Sequence, residues 1–400
     1  MAKNEEVKME EAALTEEMIQ EMRGKIGLKL RTEHSQNNSE ATFYPLTKFA
    51  DGIGDPNPLW HDEEYAKKTS YGGLIAHPSW VWTVLGGIQF GFRGLGTFHS
   101  GSDIYFHKPV YLGDKLRPEC IFTGFDEPKA DSKFSEGKTF FQHYDNRYYN
   151  QRDELVAKIP FWVFTFERGR AKAKGKYTGK KETIIIPHPW TEEELKKIEE
   201  EGLSEEIRGS NPRYWEDVKV GDELKPVVKG PLGLSDMISF LIGGATPIPR
   251  LGAHGVALRQ YHKHPAWAFR DPDTYSLEPI FAVHYNRHAA KSMAQPAAYD
   301  VGIERHCWLT HLLTNWMGDD GWLKRSYAEY RRFVYFSDIV WFKGKVTKKY
   351  IDDDGECCVE IETHAINQRN EDCMPGHSTV ALPSREKGIW PLDSRVRKEG

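Results

Sequence analysis

The sequence has few features of an exported, membrane-bound or nucleic-acid-binding protein. Its five cysteines are an odd number without a CxxC spacing, which predicts reduced thiols rather than a disulfide framework or a zinc site. No apolar run is long enough to cross a bilayer, and the acidic start lacks the apolar core of a secretory signal. The formal net charge of −5 predicts no general attraction to nucleic acid or to an anionic membrane. We therefore expect a cytoplasmic protein without nucleic-acid or membrane partners.

The chain is long for a single domain. Its 400 residues, 39% of them hydrophobic, are enough for two ordinary cores. A basic stretch at 168–181 is followed by an acidic stretch at 191–208, which is typical of a solvated linker. We predict a first domain with a leading helix at 1–185, a linker at 186–210 and a second domain at 211–400. The alternative for the basic stretch is that its Lys and Arg side chains bind phosphate groups.

The second half of the chain repeats the first. The similar pairs of stretches are 106–122 with 330–346, 148–158 with 365–382, and 61–79 with 284–302. Two like units in one chain indicate an internal duplication. The residues after Pro78 are apolar on all sides, which predicts a buried helix, and we expect its counterpart from about Asp300. Strand-like runs follow each helix, so the predicted fold class is α+β with antiparallel sheets.

The residues best suited to chemistry lie between Phe49 and Trp80. Asp55 is followed by a tight Pro-Asn-Pro turn and by His61, so one loop brings an acid and a base together without a metal. Asn57 is expected to fix this loop by hydrogen bonding. A buried helix that starts nearby offers backbone N–H groups to a developing negative charge.

This stretch resembles the signature of the MaoC-like, R-specific enoyl-CoA hydratases, which have a hotdog fold. Their pattern is Gly-Asp-x-Asn-Pro-(Ile/Leu)-His, then Asp two residues on, then Ala, and later Ala-His-Gly-Met at a helix start. The matching residues are Gly54, Asp55, Asn57, Pro58, Leu59, His61, Ala66, Ala76 and His77. We interpret Trp60 as an insertion before the histidine, and Pro78 stands where the family has Gly. The two units resemble the double-hotdog arrangement of enoyl-thioester hydratases.

The resemblance implies reversible hydration of a 2-enoyl thioester, with acyl-CoA as the expected substrate. Coenzyme A would be part of the substrate, and neither another cofactor nor a metal is expected. A homodimer is the expected assembly. Two alternatives stay open at this point: a hotdog acyl-CoA thioesterase, and a non-catalytic acyl-binding subunit that supports a separate catalytic chain.

The first unit is the favoured site of catalysis because it contains both Asp55 and His61. One residue argues against the first unit: Pro78, which has no N–H, stands at the position of the family's oxyanion donor. Ser79 is therefore the expected donor to the thioester oxygen.

The second unit contains His284 as a rival catalytic residue, with Asp300 near the oxyanion position. However, Ala245 stands where the acid is expected. The insertion at 251–279 contains three acids that are candidate substitutes: Asp271, Asp273 and Glu278. The aromatic residues of this insertion indicate a reshaped pocket for a branched, aromatic or dicarboxylic acyl chain.

Coenzyme A phosphates are expected near basic side chains at the junction of the units, because the planar guanidinium group binds phosphate in a bidentate manner. The candidates are Arg93, Lys108, Arg305, Arg331 and Arg332.

Overall fold

The structure, a computed structural model, describes residues 11–32, 38–85, 89, 91–92, 94–130, 137–170, 184–244, 252–293 and 295–396. The α-helices are α1 (Glu16–Gly24), α2 (Phe43–Ile53), α3 (Glu63–Ala66), α4 (Glu192–Leu203), α5 (Leu234–Ile242), α6 (His254–Lys263), α7 (Arg287–Ser292) and α8 (Gly302–Met317). The strands are β1 (Leu95–Phe106), β2 (Arg117–Phe125), β3 (Thr139–Tyr149), β4 (Leu155–Glu167), β5 (Val227–Lys229), β6 (Ala268–Arg270), β7 (Leu277–Pro279), β8 (Trp322–Glu329), β9 (Val340–Ile351), β10 (Cys357–Asn367) and β11 (Gly376–Ala381). Short 3₁₀ helices are Pro58–Trp60, Pro78–Thr83, Trp215–Asp217, Pro265–Trp267 and Ile280–His284.

One antiparallel sheet runs through both units. Within the described ranges its nine strands lie in the order β2-β3-β4-β1-β8-β11-β10-β9-β5. The units meet where β1 pairs with β8, with Gly101 opposite Glu329 and Tyr105 opposite Arg325. β6 and β7 form a separate antiparallel pair inside the insertion. The predicted α+β fold, with two hotdog units and antiparallel strands, is confirmed.

The helix α8 is buried along its length. Every residue from Ile303 to Met317 is buried. A helix that is covered on every side lies in the interior of the fold, and here its polar side chains are buried together with its apolar ones. α8 packs against α2, β1 and the 3₁₀ helix Pro78–Thr83 of the first unit, and against β5, β8 and β9 of the second. The prediction of a buried helix from about Asp300 is confirmed.

The helix predicted after Pro78 is not formed in the described residues. Pro78–Thr83 is a short 3₁₀ helix, and Leu85 has a φ of 57°, a conformation that a right-handed helix excludes. Residues 86–88 lie outside the described ranges. This part of the fold prediction is wrong, and the two units therefore differ at their centres.

The internal repeat is visible in equivalent hydrogen bonds. The side-chain oxygens of Asp62 and Asn286 each accept two backbone N–H groups of the next turn and so cap α3 and α7. The N–H groups of Ala76 and Asp300 each donate to a carbonyl of a neighbouring segment. Within both pairs the second residue follows the first by 224 positions. This common separation fixes which residues of the two units are equivalent.

Smaller sequence predictions agree with the structure. Thr15 caps α1, where its hydroxyl accepts the Met18 N–H at 3.3 Å. All five cysteines are buried and lie outside any disulfide. Cys357 and Cys358 are adjacent in β10, and burial raises the pKa of both thiols. No helix in the described ranges combines the length and apolar character needed to span a bilayer.

Truncating the centre of α8 tests its structural role. Leu309→Ala should lower the free energy of unfolding by about 2–5 kcal/mol, because Leu309 is fully buried and its loss leaves a cavity. Leu203→Ala is the control, since Leu203 ends α4 and is 89% exposed; its effect should be below about 0.5 kcal/mol. Urea denaturation followed by circular dichroism measures both variants. Equal, small losses would contradict the central position of α8.

Candidate active site

Trp60, and not His61, occupies the family's histidine position. The separation of 224 residues pairs Trp60 with His284, and each is the last residue of a 3₁₀ helix. Asp62 then stands two residues after Trp60, where the family has its second Asp. Trp60 is therefore a substitution for the histidine, and reading it as an insertion is wrong. The sequence alignment of 61–79 with 284–302 is also wrong, by one residue.

The predicted acid/base pair of Asp55 and His61 is not formed. Trp60 Nε1 donates to Asp55 Oδ2 at 2.9 Å. The His61 ring instead contacts the backbone oxygen of Asp55 at 2.8 Å, and its Nδ1 lies 3.7 Å from Asp51 Oδ1. Because Trp60 takes the place beside the carboxylate, the histidine that follows it points away.

The Asp55 carboxylate is the centre of a buried polar cluster. His311 Nε2, from α8, lies 3.7 Å from Oδ1, and His77 Nε2 lies 3.5 Å from Oδ2. The N–H of Asn57 donates to Oδ1 at 3.0 Å. Burial on its own would raise the pKa of Asp55, but His311, His77, Asn57 and Lys229 outweigh it and lower that pKa. Asp55 is therefore an enclosed, ionised carboxylate.

His311 connects this cluster to three parts of the chain. Lys229 Nζ donates to His311 Nδ1 at 2.8 Å and to the carbonyls of Ile53 and Gly54 at 2.8 and 2.9 Å. Because Nδ1 accepts, Nε2 carries the proton and faces Glu205 at 2.9 Å. Burial lowers the pKa of Lys229 to about 8. The cluster thus joins the first-unit loop, the predicted linker and the second-unit helix.

Ser79 is not the oxyanion donor that the sequence predicts. Its N–H and its hydroxyl both contact His77 Nδ1, at 3.2 and 2.8 Å, because His77 caps the 3₁₀ helix that begins at Pro78. Ser79 is fully buried. Burial also lowers the pKa of His77 to about 3, so its imidazole is neutral.

Little space remains beside Trp60. The cavity there measures about 30 Å³, roughly the volume of one water molecule. Asn57 fixes the loop as predicted, since its Oδ1 accepts the Leu59 N–H at 3.0 Å. Lys108 lines the cavity but is paired with Glu154 at 2.9 Å. An acyl chain does not fit at the signature loop of the first unit.

A much larger cavity, of about 1110 Å³, is lined by residues of both units. The first unit contributes Phe98 and His99 from β1 and Phe164 from β4, and the second contributes His284 and Gly302. This volume slightly exceeds the usual range of about 300–1,000 Å³ for small-molecule pockets, so a whole small molecule fits. The large cavity is therefore the candidate active site.

His284 lines the large cavity, and its imidazole is in the tautomer that can accept a proton there. Its Nδ1–H donates to the carbonyl of Tyr299 at 3.0 Å, and a carbonyl oxygen only accepts, so the proton is on Nδ1. Nε2 therefore keeps its lone pair and can accept a proton. Burial lowers the pKa of His284, so the imidazole is neutral at pH 7.

Gly302 begins α8 at the edge of the same cavity. It is the counterpart of Pro78 and, unlike proline, has an N–H. As the first residue of a 16-residue helix it has no intrahelical acceptor. A Cβ here would lie 2.9 Å from Tyr330 Cδ2, so glycine permits this close approach. Gly302 is not among the residues predicted from the sequence. The similar stretches 106–122 and 330–346 are 224 residues apart, and this separation makes Gly302 the equivalent of Pro78.

Asp300 and Arg305 have structural roles that differ from the predicted ones. The Asp300 N–H donates to Val334 at 2.9 Å and is not free for a thioester oxygen. The Asp300 carboxylate accepts two hydrogen bonds from Arg305, at 2.6 and 2.7 Å. Arg305 also donates to the carbonyls of Arg332 and Cys373, and its side chain is only 3% exposed. Arg305 therefore holds the backbone around α8 and not a phosphate group.

The remaining basic candidates differ in position. Arg331 and Arg332 line the large cavity and are more than half exposed. Arg331 is ion-paired with Glu329, and Arg332 Nε lies 3.8 Å from Glu371 Oε1. Arg93 and most of the basic stretch lie outside the described residues.

The acids of the insertion do not replace the missing carboxylate. By the separation of 224 residues, Pro279 is the counterpart of Asp55. The contacts of the three candidate substitutes are Asp271 with Asn286, Asp273 with Arg287, and Glu278 with Ser276. Among the residues that the structure describes, none of the three is hydrogen-bonded to His284.

Comparisons with known proteins agree with this fold. Residues 34–159 match the family model described as FAS1-like, dehydratase domain region. Two curated UPF0336 proteins are similar over 79 residues, which is 18% of this chain: one from Streptomyces avermitilis, 32% identical over 53% of its length, and one from Parafrankia sp., 33% identical over 52%. The chain spans about half the length of the curated relatives it matches.

Two solved structures share the architecture of nearly the whole chain. A MaoC-like dehydratase is 15% identical, with a TM-score of 0.58 over 90% of this chain and 99% of that one. A MaoC domain protein dehydratase from Chloroflexus aurantiacus is 13% identical, with a TM-score of 0.54 over 90% and 96%. Residues 34–159 thus match a dehydratase-region family model, and the chain has the double-hotdog fold of these MaoC-like structures.

Substituting Asp55 should affect stability more than activity. Asp55→Asn removes the charge that faces His77, His311 and Lys229, which should cost about 2–4 kcal/mol of unfolding free energy. His61→Gln is the control, with an expected change below about 1 kcal/mol. Urea denaturation measures the first effect, and a hydratase assay well below the melting temperature measures the second. An Asp55→Asn variant that is stable but inactive would indicate that Asp55 is a catalytic residue.

Proposed function

We propose that the chain catalyses the reversible hydration of a 2-enoyl thioester in the large cavity at the start of α8. The proposal depends on one observation: His284 and Gly302 line the same cavity, one with an Nε2 that can accept a proton and the other with an N–H that no helix acceptor takes. Hydration needs a base that removes a proton from water and a donor that stabilises the thioester oxygen. His284 is that base and the Gly302 N–H is that donor.

The reaction follows from these two groups. A water molecule held by His284 Nε2 loses a proton to the imidazole as its oxygen bonds to C3 of the enoyl group. The electron pair of the double bond moves toward the thioester oxygen, where the Gly302 N–H and the α8 dipole stabilise the enolate. His284 then returns the proton to C2. One H and one OH are added across the double bond, and the reverse sequence is dehydration.

The two units have different tasks in this proposal. The first unit has Trp60 and Pro78 at the positions of the histidine and the oxyanion donor, and only about 30 Å³ of space beside them. The second unit has His284 and Gly302 at the equivalent positions and a cavity of about 1110 Å³. The first unit then serves as the wall of the acyl site, because β1 and β4 face this cavity.

The thioester carrier is proposed to be coenzyme A. Arg331 and Arg332 lie at the cavity and are exposed, so they are suited to its phosphates. A screen of enoyl-CoA compounds, followed by the loss of conjugated-thioester absorbance, tests the activity directly. Release of free thiol would indicate a thioesterase. Acyl-CoA binding without turnover would indicate a non-catalytic subunit.

Substituting His284 tests the base. His284→Gln should lower kcat by about 10²–10⁴-fold, because a positioned base contributes that much. His288→Gln is a matched control, since His288 is bonded to Asp273 at the surface. In the wild type, kcat/KM should stay constant as the pH is lowered to about 6.5 and decrease only at more acidic pH. The reason is that burial lowers the pKa of His284 from its ordinary value, so the imidazole stays neutral until then. An active, folded His284→Gln variant would contradict the proposal.

Substituting Gly302 tests the donor. Gly302→Pro removes the N–H and remains compatible with the first helical position, as Pro78 shows in the first unit. Gly302→Ala is the matched control, because it adds a similar Cβ beside Tyr330 but keeps the N–H. The proline variant should have a kcat about 10²–10³-fold below that of the alanine variant. Equal kcat values, with thermal melts confirming folded protein, would exclude Gly302 as the donor.

A further inference from the structure

We infer that the substrate's acyl chain ends in a bulky, planar, apolar group such as an aromatic ring. The inference rests on the proposed function for the position of the reacting carbons. It is carried by a continuous wall of aromatic side chains that begins beside His284 and extends through the large cavity onto the first-unit sheet.

The wall starts in the second unit. The ring centroid of His284 lies 5.0 Å from that of Tyr299, and Tyr299 lies 4.6 Å from Phe333. Phe333 in turn lies 5.1 Å from Phe98, in an edge-to-face arrangement. All four side chains line the cavity. Because Phe98 belongs to β1, the wall crosses here from the second unit to the first.

The wall continues across three strands of the first unit. Phe98 on β1 is opposite Phe164 on β4, and Phe164 is opposite Phe141 on β3. Residues in register on neighbouring strands point to the same face of a sheet, so the three rings form one row. The centroids of Phe141 and Phe164 are 5.3 Å apart. All three line the cavity and remain partly exposed in it.

This surface suits a ring better than a straight chain. Aromatic pairs gain from stacked and edge-to-face contacts at centroid distances of about 4.5–7 Å, beyond the burial of area. A rigid ring also loses less conformational freedom on binding than a flexible alkyl chain. The large volume leaves room for a group broader than a short alkyl tail.

The charges around the cavity argue against a dicarboxylic acyl chain. Each of the three arginines that line it is already paired with an acid. The pairs are Arg305 with Asp300, Arg331 with Glu329, and Arg332 with Glu371. Arg305 is the buried one of the three, and a second carboxylate on the acyl chain would have to break its ion pair with Asp300 at the cost of its own hydration. Arg331 and Arg332 are the exposed pair that we propose for the coenzyme A phosphates.

Binding of saturated thioesters tests the inference without requiring catalysis. Isothermal titration calorimetry on the full chain compares butyryl-CoA, decanoyl-CoA and 5-phenylpentanoyl-CoA, of which the last two are similar in length. The phenyl compound should bind about 3- to 10-fold more tightly than decanoyl-CoA, because an aromatic contact contributes that much, and butyryl-CoA should bind most weakly. Equal affinities, or tighter binding of decanoyl-CoA, would overturn the inference.

A substitution in the wall provides the matched control. Phe98→Leu keeps an apolar side chain but removes the ring at the crossing between the units, so the preference for the phenyl compound should fall to less than about 2-fold. Phe125→Leu changes a phenylalanine of β2 outside the cavity, where Phe125 packs against Phe140, and should keep the full preference. An unchanged preference in Phe98→Leu would also overturn the inference.

Assays of the matching 2-enoyl-CoA compounds separate this inference from the proposed function. If the decenoyl compound is hydrated and the phenyl compound is not preferred in binding, the proposed function is supported and the inference is contradicted. If the phenyl compound binds preferentially and neither compound is hydrated, the proposed function is contradicted, and the cavity is supported as an aryl-binding site.

Discussion

The position of a single buried helix determines the rest of this structure. α8 lies at the centre of the second unit and also contacts elements of the first, and His311 on α8 lies 3.7 Å from the Asp55 carboxylate of the first-unit loop. The first residue of the same helix, Gly302, opens onto the large cavity. Because helix N–H groups without acceptors occur only in the first turn, the place where α8 begins fixes where a thioester oxygen can be stabilised.

The two units diverged in complementary ways from one pattern. The first keeps the acid but has Trp60 and Pro78 at the other two positions, and its carboxylate is enclosed by Trp60, His77 and His311. The second keeps the histidine and the glycine, whose N–H no helix acceptor takes, but has Pro279 where the acid stands. In the proposed reaction the Tyr299 carbonyl orients His284, the task that a carboxylate often performs. The acid of the first unit has then become a structural link between the units.

Sequence reasoning was most successful where the signal was repeated along the chain. The duplication, the antiparallel sheets and the buried helix near Asp300 follow from hydrophobic pattern and internal similarity. The helix after Pro78 was predicted wrongly because apolar composition alone does not determine the backbone: Pro78–Thr83 is a short 3₁₀ helix, and Leu85 has a φ of 57°. The first-unit histidine was misaligned by one residue, because the local match of His61 to the motif outweighed the 224-residue separation, which pairs Trp60 with His284. The burial of Asp55 and the volumes of the two cavities depend on tertiary contacts that local pattern does not encode.

The central claim is that catalysis takes place at His284 and Gly302 and not at Asp55. A crystal structure of the chain with a bound 3-hydroxyacyl-CoA tests it most directly. The account predicts the thioester oxygen within about 3 Å of the Gly302 nitrogen and the 3-hydroxyl group at hydrogen-bond distance from His284 Nε2. A ligand whose 3-hydroxyl group instead contacts the Asp55 carboxylate, with Trp60 displaced, would contradict it.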